Sequence, residues 1–249
     1  MTFERLLQLE KEDNPIEVAI IGSGHMGGGV VNQISRMKGI RASIIAEKDI
    51  DKAIQVYEIN GIDRDNILIS NDPGLAQDAL RKRKAVVTED VMLPAMLDID
   101  AMVEATGVPE VGARIAHHSI LHRKHTIMLN VEADVMVGPI LSRMAKSVGV
   151  VYSLASGDQP GAICEMYEWA RILGMDVVAA GRGTWLRPSG KYLTPDDFQD
   201  WAERLGGNAQ MYCSFHDGTK SQIEMAATSN ALGLVPDVRG MHEPFAYVK

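Results

Sequence analysis

Cysteine is nearly missing from this chain: Cys164 and Cys213 are the two in 249 residues, far apart and without a CxxC pair. Neither a disulfide framework nor a zinc ribbon can be built from them, which points to a reducing, cytoplasmic setting. Positive charge is short as well, with 25 Lys and Arg against 33 Asp and Glu and a net charge of −8. A chain of that sign has no global attraction to a polyanion, so a nucleic-acid partner is not expected. No run of about 18 apolar residues occurs, and Met1 to Pro15 is charged without an apolar stretch. Neither a membrane span nor a secretory leader is expected from it. Internal repeats and low-complexity tracts are also absent.

What is present has the composition of a globular protein, 46% hydrophobic and 23% charged. At about 150 residues per domain, the length fits one large or two modest domains. Thr2 to Asn14, with Phe3, Leu6, Leu7 and Leu9, reads as an amphipathic helix that stops before Pro15. Short apolar runs follow at Val18–Ile21, Ser43–Ala46, Ala85–Thr88, Ala101–Glu104, Thr126–Val131 and Val150–Ser153, separated by helical patterns. Strands spaced by helices predict βαβ units, a doubly wound parallel sheet and an α/β Rossmann fold. Pro109, Pro139 and Pro160 suit first helical positions, and Gly149 and Gly174 suit helix ends. The basic run Arg81–Lys84 reads as a solvated helix end.

After about residue 155 the alternation weakens into the Gly/Pro/Arg-rich stretch Gly181 to Gly190 and a Trp-bearing helix around Pro195–Leu205. The expected organisation is a dinucleotide-binding domain over residues 1–155 and a smaller α+β substrate and oligomerisation domain over 156–249, in a homo-oligomer.

The strongest local signal is Gly22-Ser23-Gly24-His25-Met26-Gly27, placed between the Val18–Ile21 strand and a helical pattern. In this motif the first glycine allows the tight turn, the second lets the backbone approach a pyrophosphate, and the third lets the helix pack on the strand. Ser23, His25 and Met26 then lie beside the cofactor. Glu47 stands about 20 residues after Gly27, where an acid can accept hydrogen bonds from a ribose 2′-hydroxyl and favour NAD. Lys48 beside it can pair with a 2′-phosphate and favour NADP, so the choice stays open. Ala105, Thr106 and Gly107 fall at a strand's carboxyl end, where a doubly wound sheet binds the nicotinamide half.

Asn130, Glu132 and Asp134 lie just beyond the Thr126 strand. An amide and two carboxylates there can contact cofactor and substrate, hold a divalent cation or handle protons; acids near a helix start also serve simply as dipole partners. Asp158 precedes Pro160 and reads either as a helix cap or as a substrate contact. Further on, Ser221 and Glu224 have capping-box spacing, which leaves Asp217 and Lys220 for chemistry. A lysine facing a cleft can hydrogen-bond a developing alkoxide, and a nearby carboxylate can move the proton. His117, His118, His122 and His125 have no further ligand at metal-site spacing and read as solvated helix residues.

Taken together, these motifs resemble the homoserine-dehydrogenase-like oxidoreductases, in particular the branch called 1-deoxy-D-xylulose-5-phosphate reductoisomerase-like. The likeness runs through the glycine motif, Glu104-Ala105-Thr106-Gly107, Asn130-Val131-Glu132-Ala133-Asp134, Gly157-Asp158-Gln159-Pro160, Asp217-Gly218-Thr219-Lys220 and Gly233-Leu234-Val235-Pro236. It implies an NADP-preferring enzyme of isoprenoid biosynthesis. Such an enzyme rearranges and reduces 1-deoxy-D-xylulose 5-phosphate while Mg²⁺ or Mn²⁺ holds the substrate oxygens. Lys220, Asp217 and Asp158 would be catalytic, and Glu132, Arg182 and Lys191 would bind substrate, with Glu132 and Asp134 as the metal ligands. The relatives carry Gly-Lys-Gly where this chain has Gly181-Arg182-Gly183, and they continue into a SAF-like domain beyond the position of Lys249. A polyol or hydroxy-acid dehydrogenase and a non-catalytic cofactor-binding module are the alternatives.

Overall fold

The computed structural model describes residues 2–184 and 189–244, so the Gly181 to Gly190 stretch is described only in part. The chain divides into two compact units, Met1–Ala155 and Ser156–Lys249.

In the first unit, helix α1 (Thr2–Lys11) precedes strand β1 (Ile16–Ile21), and α2 (His25–Ile34), β2 (Ile40–Ala46) and α3 (Ile50–Ile59) follow. Next come β3 (Ile67–Ile69), α4 (Pro73–Arg81), β4 (Ala85–Thr88), β5 (Ala101–Glu104) and α5 (Pro109–Leu121). The unit ends with β6 (His125–Met128), α6 (Val131–Val148) and β7 (Tyr152–Leu154). The seven strands form one parallel sheet in the order β3-β4-β2-β1-β5-β6-β7. From β1 the chain first winds outward through β2 and later through β5, so the order reverses between β1 and β5. In such sheets ligands bind in the crevice at the carboxyl ends of those two strands.

Continuous apolar runs in the central strands follow from burial on both faces. Val18 and Ile20 of β1 pack with Val31 and Ile34 of α2 and Ala53, Ile54 and Tyr57 of α3. Ala19 and Ile21 point the other way, to Ala76, Ala79 and Leu80 of α4 and Ile115 of α5. Ile20, Ile21, Ile44 and Ile45 are fully buried, and each contributes about 1.5–3 kcal/mol. Together with the helices on both faces, this is the doubly wound α/β Rossmann-like fold read from the sequence.

Local departures have local causes. Strand β3 was not among the expected runs because it is three residues long and only Ile67 of it is buried. The expected strand Thr126–Val131 stops at Met128, since Asn130 caps α6 by accepting the Ala133 N–H at 3.1 Å. The helix expected to start at Pro139 therefore starts at Val131, and Pro139 lies inside it at the cost of one helical hydrogen bond. The other helix signals hold: Pro109 and Pro160 lie in first turns, and Gly149 is a left-handed cap.

The second unit contains α7 (Gln159–Ile172), α8 (Gln199–Leu205), α9 (Ala209–His216) and α10 (Thr219–Leu232), with 3-10 turns at Gly190–Tyr192 and Pro195–Phe198. Among its described residues there is no strand, so it is helical where an α+β domain was expected. Helices α7 and α10 pack on each other, while Phe198, Trp201, Tyr212 and His216 form an aromatic cluster. No helix of the described residues is long and apolar enough to cross a membrane.

Candidate functional site

Backbone hydrogen bonds gather the loops of the first unit at the crevice. Gly22 N–H donates to Ala46 O at 2.8 Å, Ala105 N–H to Ile21 O at 2.8 Å, and Leu129 N–H to Glu104 O at 2.9 Å. The residues after β1, β2, β5 and β6 are thereby tied edge to edge. Ser23, Glu47, Ala105, Thr106, Gly107 and Asn130 all belong to these loops.

The three motif glycines have different reasons to be glycine. Gly22 has φ +89°, and a Cβ there would stand 3.0 Å from Ala105 O. A Cβ on Gly27 would lie 1.8 Å from Gly22 O, so this glycine lets α2 approach the turn. Gly24 is unlike both: its φ of −64° suits any residue, and a Cβ would meet nothing within 4 Å. The fold does not require that glycine. It faces open space at the start of α2, whose N-cap makes no side-chain hydrogen bond, and free N–H groups at a helix start attract an anion. His25 and Met26 are exposed on the same first turn.

Glu47 is fixed from several sides. Its Oε2 accepts Ser23 N–H at 2.7 Å and the Ser23 hydroxyl at 3.0 Å, and its Oε1 accepts Lys48 N–H at 2.9 Å. Partial burial pushes the carboxyl up, but the Ser23 bonds, the Asp49 amide and the Lys52 ammonium outweigh it and hold it below the usual range. Glu47 is thus an anchored carboxylate, while the Lys48 side chain is exposed.

Glu104, at the end of β5, is fully buried. Its Oε1 accepts Thr106 N–H at 2.8 Å and the Thr106 hydroxyl. Burial raises the carboxyl above its ordinary value despite the Thr106 bonds and the nearby Asn130 amide, and the Glu132 charge adds to the rise. Asp134 receives the Tyr152 hydroxyl at 2.8 Å and is likewise raised by burial. One oxygen of Asp134, expected as a metal ligand with Glu132, is thus engaged by Tyr152. Among the described residues no three His, Cys, Asp or Glu side chains are grouped to hold a metal ion. The His118 and His122 rings lie tilted against each other with centroids 4.2 Å apart, and burial lowers His118.

In the second unit, Asp158 caps α7 by accepting Gln159 N–H at 2.9 Å. The Arg182 guanidinium is bonded to the buried Glu224 carboxylate, so the cation expected to pair with a phosphate already has a partner. Burial raises Glu224, against the pull of Arg182 and Lys220, and Asp158 contributes to the rise. Asp158, Arg182 and Lys220 therefore all act on Glu224. Lys191 is exposed, with its ammonium 5.5 Å from the Tyr192 ring centre. Asp217 is a turn residue: its Oδ1 accepts Thr219 N–H at 2.8 Å and its Oδ2 faces the Cys213 thiol at 3.7 Å. The expected Ser221–Glu224 capping box does not form. Gly218, with φ +92°, is the N-cap of α10 three residues earlier, which puts Ser221 and Glu224 inside the helix.

With this geometry the chain can be compared with known proteins. Residues 157–249 match the family model described as oxidoreductase DRL, catalytic domain. That match supports an oxidoreductase. No curated protein matches the chain at a significant level. Among solved structures, it is similar to a homoserine dehydrogenase from Thiobacillus denitrificans at 18% identity and a TM-score of 0.46, over 77% of this chain and 43% of that one. It is also similar to a UDP-N-acetylglucosamine 3-dehydrogenase from Acidithiobacillus ferrooxidans, at 13% identity and a TM-score of 0.43, over 64% and 43% of the two chains. A scyllo-inositol dehydrogenase from Lactobacillus casei matches at 14% identity and a TM-score of 0.43, again over 64% and 43%. The chain spans about two fifths of the length of the solved structures it matches.

Sequence reasoning missed Glu104, Glu224 and Tyr152 as members of these polar groups. An acid ending the apolar run Ala101–Val103 was the available signal for Glu104, because a carboxyl inside a buried strand needs fixed partners.

Proposed function

We propose that the chain is a nicotinamide-dinucleotide-dependent oxidoreductase acting on a small phosphorylated or polyhydroxylated carbonyl compound. Reductive isomerisation of the 1-deoxy-D-xylulose 5-phosphate type is the finer form of this reading. The observation that carries it is Gly24, whose lack of a side chain answers no need of the fold and leaves room for a pyrophosphate before α2. The family match of residues 157–249 supports the oxidoreductase part.

Glu47 favours NAD over NADP, because an anchored carboxylate accepts from a ribose hydroxyl and repels a 2′-phosphate. A bound nicotinamide supplies the hydride. The first unit's glycine turn, Thr106, Gly107 and Asn130 bind and orient that cofactor. In the second unit, Lys220 holds the charge developing on the substrate oxygen and supplies its proton, with Asp158 nearby, and Lys191 offers an exposed cation for a phosphate.

The test is titration of NADH and NADPH into wild type and Gly24→Val, followed by fluorescence, with melting temperatures measured in parallel. Wild type binds, NADH more tightly; Gly24→Val melts like wild type and loses binding. Equal affinities in the two proteins would overturn the proposal.

A further inference from the structure

The Asn130 side chain has a fixed orientation. Its Oδ1 accepts Ala133 N–H and caps α6, so its Nδ2 must point the other way. There it meets Glu104: Nδ2 and Glu104 Oε2 each lie 2.7 Å from the point where a Cβ on Gly112 would stand. Both side chains are at least 99% buried, and neither atom makes a hydrogen bond of normal geometry, to the other or to anything else, although the Asn130 amide pulls on the Glu104 carboxyl. The other oxygen of Glu104 is already taken by the backbone and hydroxyl of Thr106.

From this arrangement we infer that Glu104 is a positioning residue for the nicotinamide end of the cofactor site, and that position 104 requires two acceptor oxygens. One oxygen holds the loop after β5 through Thr106, and the other faces the amide that starts α6. Both of those segments border the nicotinamide half under the proposed function, on which this inference rests. Gly112 completes the arrangement by leaving the two polar groups the space a side chain would fill. An amide at position 104 cannot serve: in one orientation its NH₂ opposes Asn130 Nδ2, and in the other it opposes the Thr106 N–H. Asn130 cannot turn over to help without uncapping α6.

Because the defect is a clash of donors, it is reversible by exchanging donor and acceptor. Glu104→Gln opposes two donors and Asn130→Asp opposes two acceptors, whereas the double variant restores one donor facing one acceptor. Asp is also as good an N-cap as Asn. The experiment measures binding of NADH and of ADP-ribose, which lacks the nicotinamide, to the full chain and these three variants, with melting temperatures. The expected result is that each single variant weakens NADH by about tenfold or more. ADP-ribose should change by less than about twofold, and the double variant should regain NADH affinity. Loss of both ligands in step with melting temperature would make Glu104 merely structural and overturn the inference, as would NADH binding unchanged in both single variants. Should Glu104→Gln fail to fold, Asn130→Asp and the double variant decide by the same comparison. A wild type that binds ADP-ribose but not NADH overturns the inference alone, while one that binds neither overturns the cofactor reading itself.

Discussion

Two glycines in the first turns of α2, changed in the same way, should move stability in opposite directions. A Cβ on Gly27 would stand 1.8 Å from the Gly22 carbonyl oxygen and 3.3 Å from Ile20 Cγ2. The nearest obstacle is backbone, held by the Gly22 N–H bond to Ala46 O, so neither a rotamer change nor a flexible tip relieves the overlap. Normal carbon contacts begin at about 3.5 Å, which leaves well over an ångström for the helix or turn to yield. Overpacking of this kind costs about 1–3 kcal/mol, and more when backbone must move. Alanine regains about 0.8–1.0 kcal/mol over glycine in a helix, so the clash prevails and Gly27→Ala is net destabilising by about 1–2 kcal/mol. Gly29 is exposed in the same helix, lacks a positive φ and has nothing within 4 Å of a Cβ. There alanine should stabilise by about 0.4–1 kcal/mol. Urea unfolding of the cofactor-free protein measures both, and melting shifts of about 2–4 °C per kcal/mol are expected for a chain of this size. Shifts of the same sign, or a Gly27→Ala protein as stable as wild type, would refute the packing argument.

Glu47→Gln removes the charge and keeps an acceptor for Ser23 while giving up the Lys48 N–H bond, so the loop should loosen for both cofactors but the NADPH-to-NADH affinity ratio should rise by about tenfold; an unchanged ratio in parallel titrations would release Glu47 from cofactor choice. Arg182→Met takes the bonded guanidinium from the buried Glu224 carboxyl and leaves it only the pull of Lys220, so chemical denaturation should show a loss toward the lower end of about 3–5 kcal/mol; a loss below 1 kcal/mol would mean the pair is not buried in solution. Asp134 has a folded pKa raised above its unfolded value by burial, so the folded state holds the proton more tightly. Its contribution is present below the unfolded value and lost as pH rises through the raised folded value. Asp134→Asn should flatten that decline in melting temperature, and an unaltered pH profile would count against it.

Much of the sheet was legible because β1, β2 and β4 are apolar on both faces and announce themselves without any partner. The glycine turn was legible for a similar reason, since Gly22 and Gly27 answer to local backbone geometry. Chemistry that depends on distant partners was not. Glu224 has capping-box spacing from Ser221, and only the fold reveals that it meets Arg182 instead. Asp134 shows its acidity in the sequence, but only the fold reveals that the Tyr152 hydroxyl donates to it. Pro139 gave a helix-start signal that a better cap, Asn130, had already pre-empted nearer the strand end.

The outermost strands of the sheet, β3 and β7, are three residues each, shorter than every strand between them. A strand that short presents too few unpaired backbone groups to template another chain, which is how natural sheets resist growing across molecules. The seven-stranded sheet is therefore capped against its own extension. Self-association of this protein should proceed through helical surfaces, and changes that lengthen Ile67–Ile69 or Tyr152–Leu154 into full strands should be the ones that promote fibrous aggregation.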